Sequence, residues 1–337
     1  MRSTMALICA VLIVAGCGTS THDAGPSDTG PLPLRQLGQL DLPGAAVRFD
    51  YMSLDAGSGQ LWVAHMGAGA VVEVDIRAHR VVRTIADLPD VHGVLAVPER
   101  HRIYATATGR NELATIDADT GTILRTSPTG EYPDGLAYDP RRGAVWTTNE
   151  RAGTETVIDA DTGTVRGTVA LGGEVGNVVY DAGTDRMVVA VQGKDDLAVI
   201  DPQTLAVTDR IPVPGCAGPH GQALDAADRL MFVGCEDNAR LVTVDLTGRT
   251  VLDENSVGPT PDVLVYDDAA HRLYVAAESG WVSLFDQRAA HTTGVASSHL
   301  ADGAHTVAVD PNNHHSFFPL PKGPGGGPVL LEFEPST

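Results

Sequence analysis

Positive charge is what this chain has least of: 23 Lys and Arg stand against 43 Asp and Glu, a formal net charge of −20. Basic residues do not run together beyond Arg141-Arg142, which sit in a turn-forming stretch. A surface that grips nucleic acid needs such clusters to neutralise phosphates, so DNA and RNA are excluded as partners. Long apolar runs are equally scarce. The one candidate, Met5 to Ala15, is too short to cross a hydrocarbon core of about 30 Å as a retained helix. Only four cysteines occur, and none belongs to a C-x-x-C-H haem attachment motif. No Ser nucleophile elbow is present. The ADTG stretches at Ala118–Gly121 and Ala160–Gly163 lack the ordered oxygen ligands and closing Glu of an EF-hand and read as hairpin turns. Gly325-Gly326-Gly327 precedes no helix whose amides could hold a phosphate, which excludes a nucleotide loop.

What is present begins with a leader. Arg2 supplies a short positive region and Met5–Ala15 an apolar one, and Val14-Ala15-Gly16-Cys17 matches the lipobox at which bacterial lipoproteins are cleaved and acylated. Residues 1–16 are therefore expected to be a lipoprotein signal peptide, with a plain secretory signal as the alternative. Cys17 is expected to carry the lipid, anchoring the protein to the outer face of the cell membrane. From Gly18 to Pro33 the chain has no apolar periodicity and many turn formers, the composition of a flexible tether.

From residue 34 to 335 the sequence repeats with a period of about 42 residues. The clearest copy, Pro133 to Val169, holds four β-rich runs, GLAYD, AVWTTNE, TETVID and TVRGTV, separated by Gly, Asp and Pro clusters that form turns. An aromatic or apolar residue early in the second run recurs as Trp62, Tyr104, Trp146, Val188, Phe232, Tyr274 and Phe317. An acid closes the third run as Asp75, Asp117, Asp159, Asp201, Asp245 and Asp286, with Glu334 the nearest seventh equivalent. Seven copies of a four-stranded sheet that cannot cover its own faces predict an all-β, seven-bladed β-propeller in which each sheet buries its faces against its neighbours. A linear solenoid would need capping repeats. Here the last copy, with first strand His305–Asp310, has only three strands, and Leu34 to Leu42 supplies a fourth, so the N-terminal strand is expected to close the ring.

With Cys9 removed and Cys17 lipidated, Cys216 and Cys235 remain. Their residue numbers sum to 451, against about 454 for partners across the hairpin that turns at Ala226-Ala227-Asp228. That places them nearly opposite, and in an exported protein a disulfide is expected. A Cys/His metal site using His220 is the weaker alternative, because thiolate sites need more ligands at short spacing.

The stretches Gly135–Asn149, Cys216–Asp245, Pro261–Asp286 and Gly303–Pro321 resemble the repeats of the YncE-like, YVTN-type seven-bladed propellers over about residues 34 to 335. The resemblance implies the fold more than a function, since propellers host binding proteins, enzymes and scaffolds. Members described as DNA-binding are a poor guide for a chain this acidic.

In a propeller, the loops entering each first strand and leaving each second strand open at one mouth of the central channel. The entering position reads Asp50, His92, Asp134, Gly176, His220, Asp262 and His305. The leaving position reads Met66, Thr108, Glu150, Gln192, Glu236, Glu278 and Pro321. Asp50, His92, Asp134, Glu150, His220, Glu236, Asp262, Glu278 and His305 are thus candidate ligand-binding residues, a set suited to a divalent metal or a small ligand. His or Asp before the first strand also caps turns in this repeat. Catalytic residues are not assigned. The expectation is a surface-anchored monomeric binding or interaction lipoprotein with a small-ligand or protein partner. One alternative is a metal-assisted lyase or lactone hydrolase with His220 or His305 as base and Glu236 or Glu278 holding the ion. Another is a haem-type propeller with His92, His220 or His305 as axial ligand. His79, His101, His271 and His314 fall in turns and are expected to be solvent-facing.

Overall fold

The turn chemistry of the repeat is carried by its acids. In each blade an Asp at the end of a strand accepts the next backbone N–H groups: Asp159 those of Asp161 and Thr162, Asp75 those of Arg77 and Ala78, Asp139 those of Arg141 and Arg142, Asp181 those of Gly183 and Thr184. These side chains mimic a backbone turn and fix where one strand stops and the next starts. Between the turns, the computed structural model, which describes residues 29–336, forms seven four-stranded antiparallel sheets. Six are consecutive in the chain: residues 52–85, 91–128, 133–170, 178–212, 219–256 and 261–299 form blades 1 to 6. In blade 3 the strands are Pro133–Asp139, Ala144–Asn149, Thr154–Asp159 and Val165–Ala170.

Blade 7 joins the two ends of the domain. Its strands Ala308–Val309, Ser316–Leu320 and Val329–Pro335 are completed by Leu34–Asp41, paired antiparallel from Leu34 opposite Pro335 to Asp41 opposite Val329. The ring closes as the repeat requires. Two expectations are corrected here. The first strand of blade 7 covers only Ala308–Val309 rather than His305–Asp310, because the chain at His305 leaves the ladder and turns its imidazole inward, 3% exposed. The last five residues of the expected tether are held: Thr29 N–H bonds the Ser297 carbonyl at 3.2 Å, Ser297 N–H bonds Thr29 Oγ1 at 2.8 Å, and Pro33 accepts from Ser336 N–H. Leu32 packs on the blade 6 and 7 core. The leader, Cys17 and the rest of the tether lie outside the described residues. Among those described, no helix is long and apolar enough to cross a membrane.

The recurring residues of the second strands are the centres of the interfaces between blades; Trp62, Tyr104, Trp146, Val188, Phe232, Tyr274 and Phe317 are each at most 2% exposed. Trp146, for example, packs with Val157, Val169, Val175, Met187 and Val189 between blades 3 and 4. Burying a side chain of this size stabilises by about 3 kcal/mol. Of the turn histidines, His79, His101 and His271 are exposed as expected, whereas His314 is half-buried and bonds Asp267 of blade 6 at 2.7 Å.

Cys216 and Cys235 form the expected disulfide, with Cα atoms 5.1 Å apart. Strand register sets Cys235 opposite Pro219, and the chain continues antiparallel past the strand end, where Ala217 and Gly218 carbonyls accept from Asp237 and Glu236. The double variant Cys216→Ser/Cys235→Ser, which frees a loop spanning a sequence separation of 19, is expected to lose about 3 kcal/mol of stability by the chain-entropy account, read as a lower thermal midpoint than wild type under non-reducing conditions.

One interface position breaks the pattern. Glu155 is fully buried between blades 3 and 4 with neither carboxylate oxygen hydrogen-bonded among the described residues, where the equivalent positions carry Val71, Leu113, Leu197, Leu241 and Val282, all fully buried. Burial alone pushes its pKa well above the carboxylate range. A folded pKa above the unfolded one means the native state holds the proton longer, so stability falls as pH rises from about 4 towards that raised value. Glu155→Leu is expected to stabilise by about 2 kcal/mol, with a larger gain at pH 8 than at pH 4. Urea unfolding of both proteins at the two pH values measures it; an equal gain at both would assign the effect to packing alone.

Candidate functional site

The residue after each ring position decides how closely neighbouring blades approach at the channel. Gly93 and Gly221 have no room for a side chain: a Cβ there would sit 2.2 Å from the Asp134 carbonyl oxygen and 1.9 Å from that of Asp262. Blade backbones therefore touch at these points, and His92, Asp134, His220 and Asp262 are drawn into one cluster. Blade 4 supplies no ring side chain because a Cβ on Gly176 would meet His220 Cα at 2.5 Å. Its next residue, Asn177, turns to the channel instead.

The result is a cavity of about 130 Å³ at the channel mouth, lined by Arg48, Asp50, Tyr51, His92, Tyr132, Asp134, Glu150, His220, Glu236, Asp262 and Glu278. Eight of the nine candidate ligand-binding residues are in this wall; the ninth, His305, stands with Nε2 4.0 Å from Asp50 Oδ2 and 3.9 Å from Asp262 Oδ2. The floor is Tyr51. Its hydroxyl donates to Asn177 Oδ1 at 2.9 Å and lies 3.3 Å from Asp262 Oδ1 and 3.4 Å from His220 Nε2. Below it a second chamber of about 260 Å³ runs down the channel between glycine and aliphatic residues.

The histidines differ in what remains available. His92 is used at both nitrogens, by the Asp90 carbonyl at 2.7 Å and the Tyr132 hydroxyl at 3.1 Å, while lining the cavity. His220 lies 3.5 Å from Asp262 Oδ1, 4.0 Å from Asp134 Oδ2 and 3.7 Å from Glu236 Oε2. Burial opposes its charge, but Asp262, Asp134 and Glu236 outweigh burial and raise its pKa to about 10. Gln192 Nε2 donates to Glu236 Oε2 at 2.9 Å and lies 2.8 Å from His220 Nδ1. His305 Nε2, buried, has no hydrogen-bond partner among the described residues, and neither has Asp134 Oδ1.

The acids divide in the same way. Burial and the nearby Asp50 push Asp134 up to about 7, against His92 and His220. Burial and Asp262 raise Asp50. Asp262 is the exception: burial would raise it, but the His220 hydrogen bond and the charges of His305, His220 and Arg48 hold it below its ordinary value. Glu150 and Glu236 are raised, burial being the main cause. Asp50, Asp262 and His305 offer ligand atoms that all lie within 4.8 Å of one another, the one such group of three among the described residues.

Arg48, Tyr51, Tyr132 and Asn177 belong to the site without having been expected from the sequence. Arg48 binds Asp50 Oδ2 through Nε at 3.2 Å and Nη2 at 3.1 Å, and Glu278 through Nη1 at 2.7 Å. It enters from the stretch between the closing strand and blade 1, two residues before the ring position, where the other repeats carry Asp90, Tyr132, Glu174, Gly218, Thr260 and Gly303. Tyr51 carried a signal: its equivalents are Gly93, Gly135, Asn177, Gly221, Val263 and Thr306, so one large side chain faces a ring of mostly small ones.

Comparison with protein-family models finds no match, and neither does comparison with curated proteins. Solved structures do match. The chain is similar to virginiamycin B lyase from Staphylococcus aureus, in its selenomethionine-substituted crystal form, with a TM-score of 0.72 at 13% identity over 88% of this chain and 98% of that one. It is also similar to a chain of the mitotic checkpoint complex, with a TM-score of 0.75 at 11% identity over 98% of this chain and 99% of that one. These likenesses bear out the seven-bladed fold.

The charge on His220 is directly measurable. A pKa raised from the ordinary 6.5 to about 10 gives stability fully present below pH 6.5 and lost as pH rises through about 10. Imidazole nitrogen shifts are expected to report a cation at pH 8, and Asp262→Asn to move the midpoint towards neutrality. A neutral His220 at pH 7 would instead mean that Gln192 donates to Nδ1.

Proposed function

We propose that this protein is an exported, lipid-anchored propeller of the YncE-like kind that binds a small hydrated divalent cation at its channel mouth. The observation that carries the reading is His305 Nε2, buried, without a hydrogen-bond partner among the described residues and facing Asp50 Oδ2 and Asp262 Oδ2 at 4.0 and 3.9 Å. Ligand atoms around an ion bound at about 2.1 Å stand about 3 to 4 Å apart, so a small contraction suffices. One imidazole and two carboxylates suit Mn²⁺ or Zn²⁺. Six carboxylates in the wall against one arginine and His220 favour a positive ligand, and about 130 Å³ admits an ion with a few waters rather than a sugar or peptide. Export and anchoring rest on the Val14–Cys17 lipobox, and the disulfide accords with an oxidising compartment.

A second reading is favoured by His220. A buried imidazolium beside Tyr51 and the proposed ion has the placement of a general acid, and the structural likeness to a lyase, though distant, suggests metal-assisted elimination or lactone opening. His220→Gln would then abolish turnover of a lactone panel while leaving ion binding in place.

For the binding reading, calorimetric titration of the purified protein with MnCl₂ is expected to show one ion per chain. Asp262→Asn and His305→Ala should each weaken it at least tenfold, and His101→Ala, at an exposed turn, should leave it unchanged. Wild-type protein that takes up neither Mn²⁺ nor Zn²⁺ would end the reading.

A further inference from the structure

We infer that Arg48 is a built-in cation that competes for the same two oxygens as the proposed ion and makes the mouth selective for divalent over monovalent cations. This rests on the cation-binding reading above and adds its regulation. Two atoms carry the argument. Asp50 Oδ2 accepts from Arg48 Nε and Nη2 at 3.2 and 3.1 Å and is also the oxygen 4.0 Å from His305 Nε2. Asp262 Oδ2 lies 4.0 Å from Arg48 Nη2 and 3.9 Å from His305 Nε2. A guanidinium and a metal ion cannot both take these oxygens, since two like charges would then stand about 4 Å apart in a poorly solvated site. Entry of an ion requires the guanidinium to leave.

The surroundings allow that departure without moving the backbone. The Arg48 carbonyl accepts from Gly67 N–H at 3.0 Å and Asp50 N–H bonds the Ala64 carbonyl at 2.8 Å, which fixes the main chain on both sides. Phe49 stacks on His65 with ring centroids 4.1 Å apart, and His65 Nε2 contacts the Ala45 carbonyl at 3.1 Å. The Arg48 side chain itself is 40% exposed, and its Nη1 is already held at 2.7 Å by Glu278, which is 37% exposed at the rim. Pivoting about Glu278, the guanidinium can release Asp50 and Asp262 while keeping one carboxylate partner. Exchange of one positive charge for another gains little for Na⁺ or K⁺, whereas a divalent ion brings twice the charge to the same acids. Arg48 is therefore the part of the mouth that rejects monovalent salt.

The test is titration of wild-type protein, Arg48→Gln and Arg48→Lys with MnCl₂ at low and at 0.5 M (about physiological times three) NaCl, a range over which exposed charges are strongly screened. Arg48→Gln is expected to bind Mn²⁺ at least tenfold more tightly than wild type at low salt and to lose more of that affinity when NaCl is added. Millimolar guanidinium chloride should compete with Mn²⁺ in Arg48→Gln, by refilling the place of the missing side chain, and have little effect on wild type. Should Arg48→Gln fail to fold, Arg48→Lys carries the test, because a lysine cannot span both acids in a fork and should give an intermediate gain. Equal or weaker binding by the folded variant, with clear binding by wild type, would overturn this inference alone and make Arg48 a prop for the acid pair. Absence of binding in every protein would overturn the cation-binding reading itself.

Discussion

Closure of the ring is the constraint on which the rest of the molecule depends. A single four-stranded sheet leaves two apolar faces open, and each blade here buries them only because a neighbour stands on either side. Blade 7 has three strands of its own, and the pairing of Leu34–Asp41 with Val329–Pro335 supplies the fourth. That pairing ties residues almost 300 apart in the chain. It seats the Leu40, Leu42 and Leu330 side chains against the blade 1 core and fixes the stretch from which Arg48 and Asp50 enter the channel mouth.

Acidity in this protein serves two purposes that composition cannot separate. Many aspartates end strands and accept backbone N–H groups, which shapes turns; Asp55, Asp75 and Asp159 do so partly exposed, and Asp139, Asp181 and Asp225 do so buried. A smaller group, Asp50, Asp134 and Asp262, lies almost fully buried at the mouth. Concentrating carboxylates in a site poor in water raises the pKa of most of them. Only Asp262, pressed between His220, His305 and Arg48, is held below its ordinary value. The mouth is thus a polar network whose members settle one another's charge, with Arg48 and His220 set among its acids.

The same closeness explains why the histidines part ways. His92, His220 and His305 hold equivalent places in their repeats, yet His92 has both nitrogens bonded, His220 sits among three carboxylates, and His305 faces two acids with Nε2 unbonded. The cause lies in the residues opposite. Tyr132 precedes Pro133 in blade 3 and reaches His92; no residue from blade 1 does the same for His305. Near-symmetry in sequence becomes asymmetry in chemistry because each ring residue meets the loop of a different neighbour.

The period of about 42 residues, the turn acids and the buried aromatic of each second strand were legible directly, since they follow from local rules: strand alternation, turn chemistry and a sheet's need to cover its faces. Those rules also placed the ring positions at one mouth and paired Cys216 with Cys235. They did not reach Arg48, Tyr51 or Asn177, whose roles arise across the channel between residues remote in sequence, nor the hydrogen bonds at both nitrogens of His92. They also missed Glu155, a carboxyl where the other blades carry Val or Leu. Sequence by itself determined which residues stand at the mouth, because position in a repeat is a matter of spacing. Which of them share a proton, a counter-charge or an unbonded lone pair was decided by the tertiary structure, because those properties depend on distances of a few ångströms between different blades.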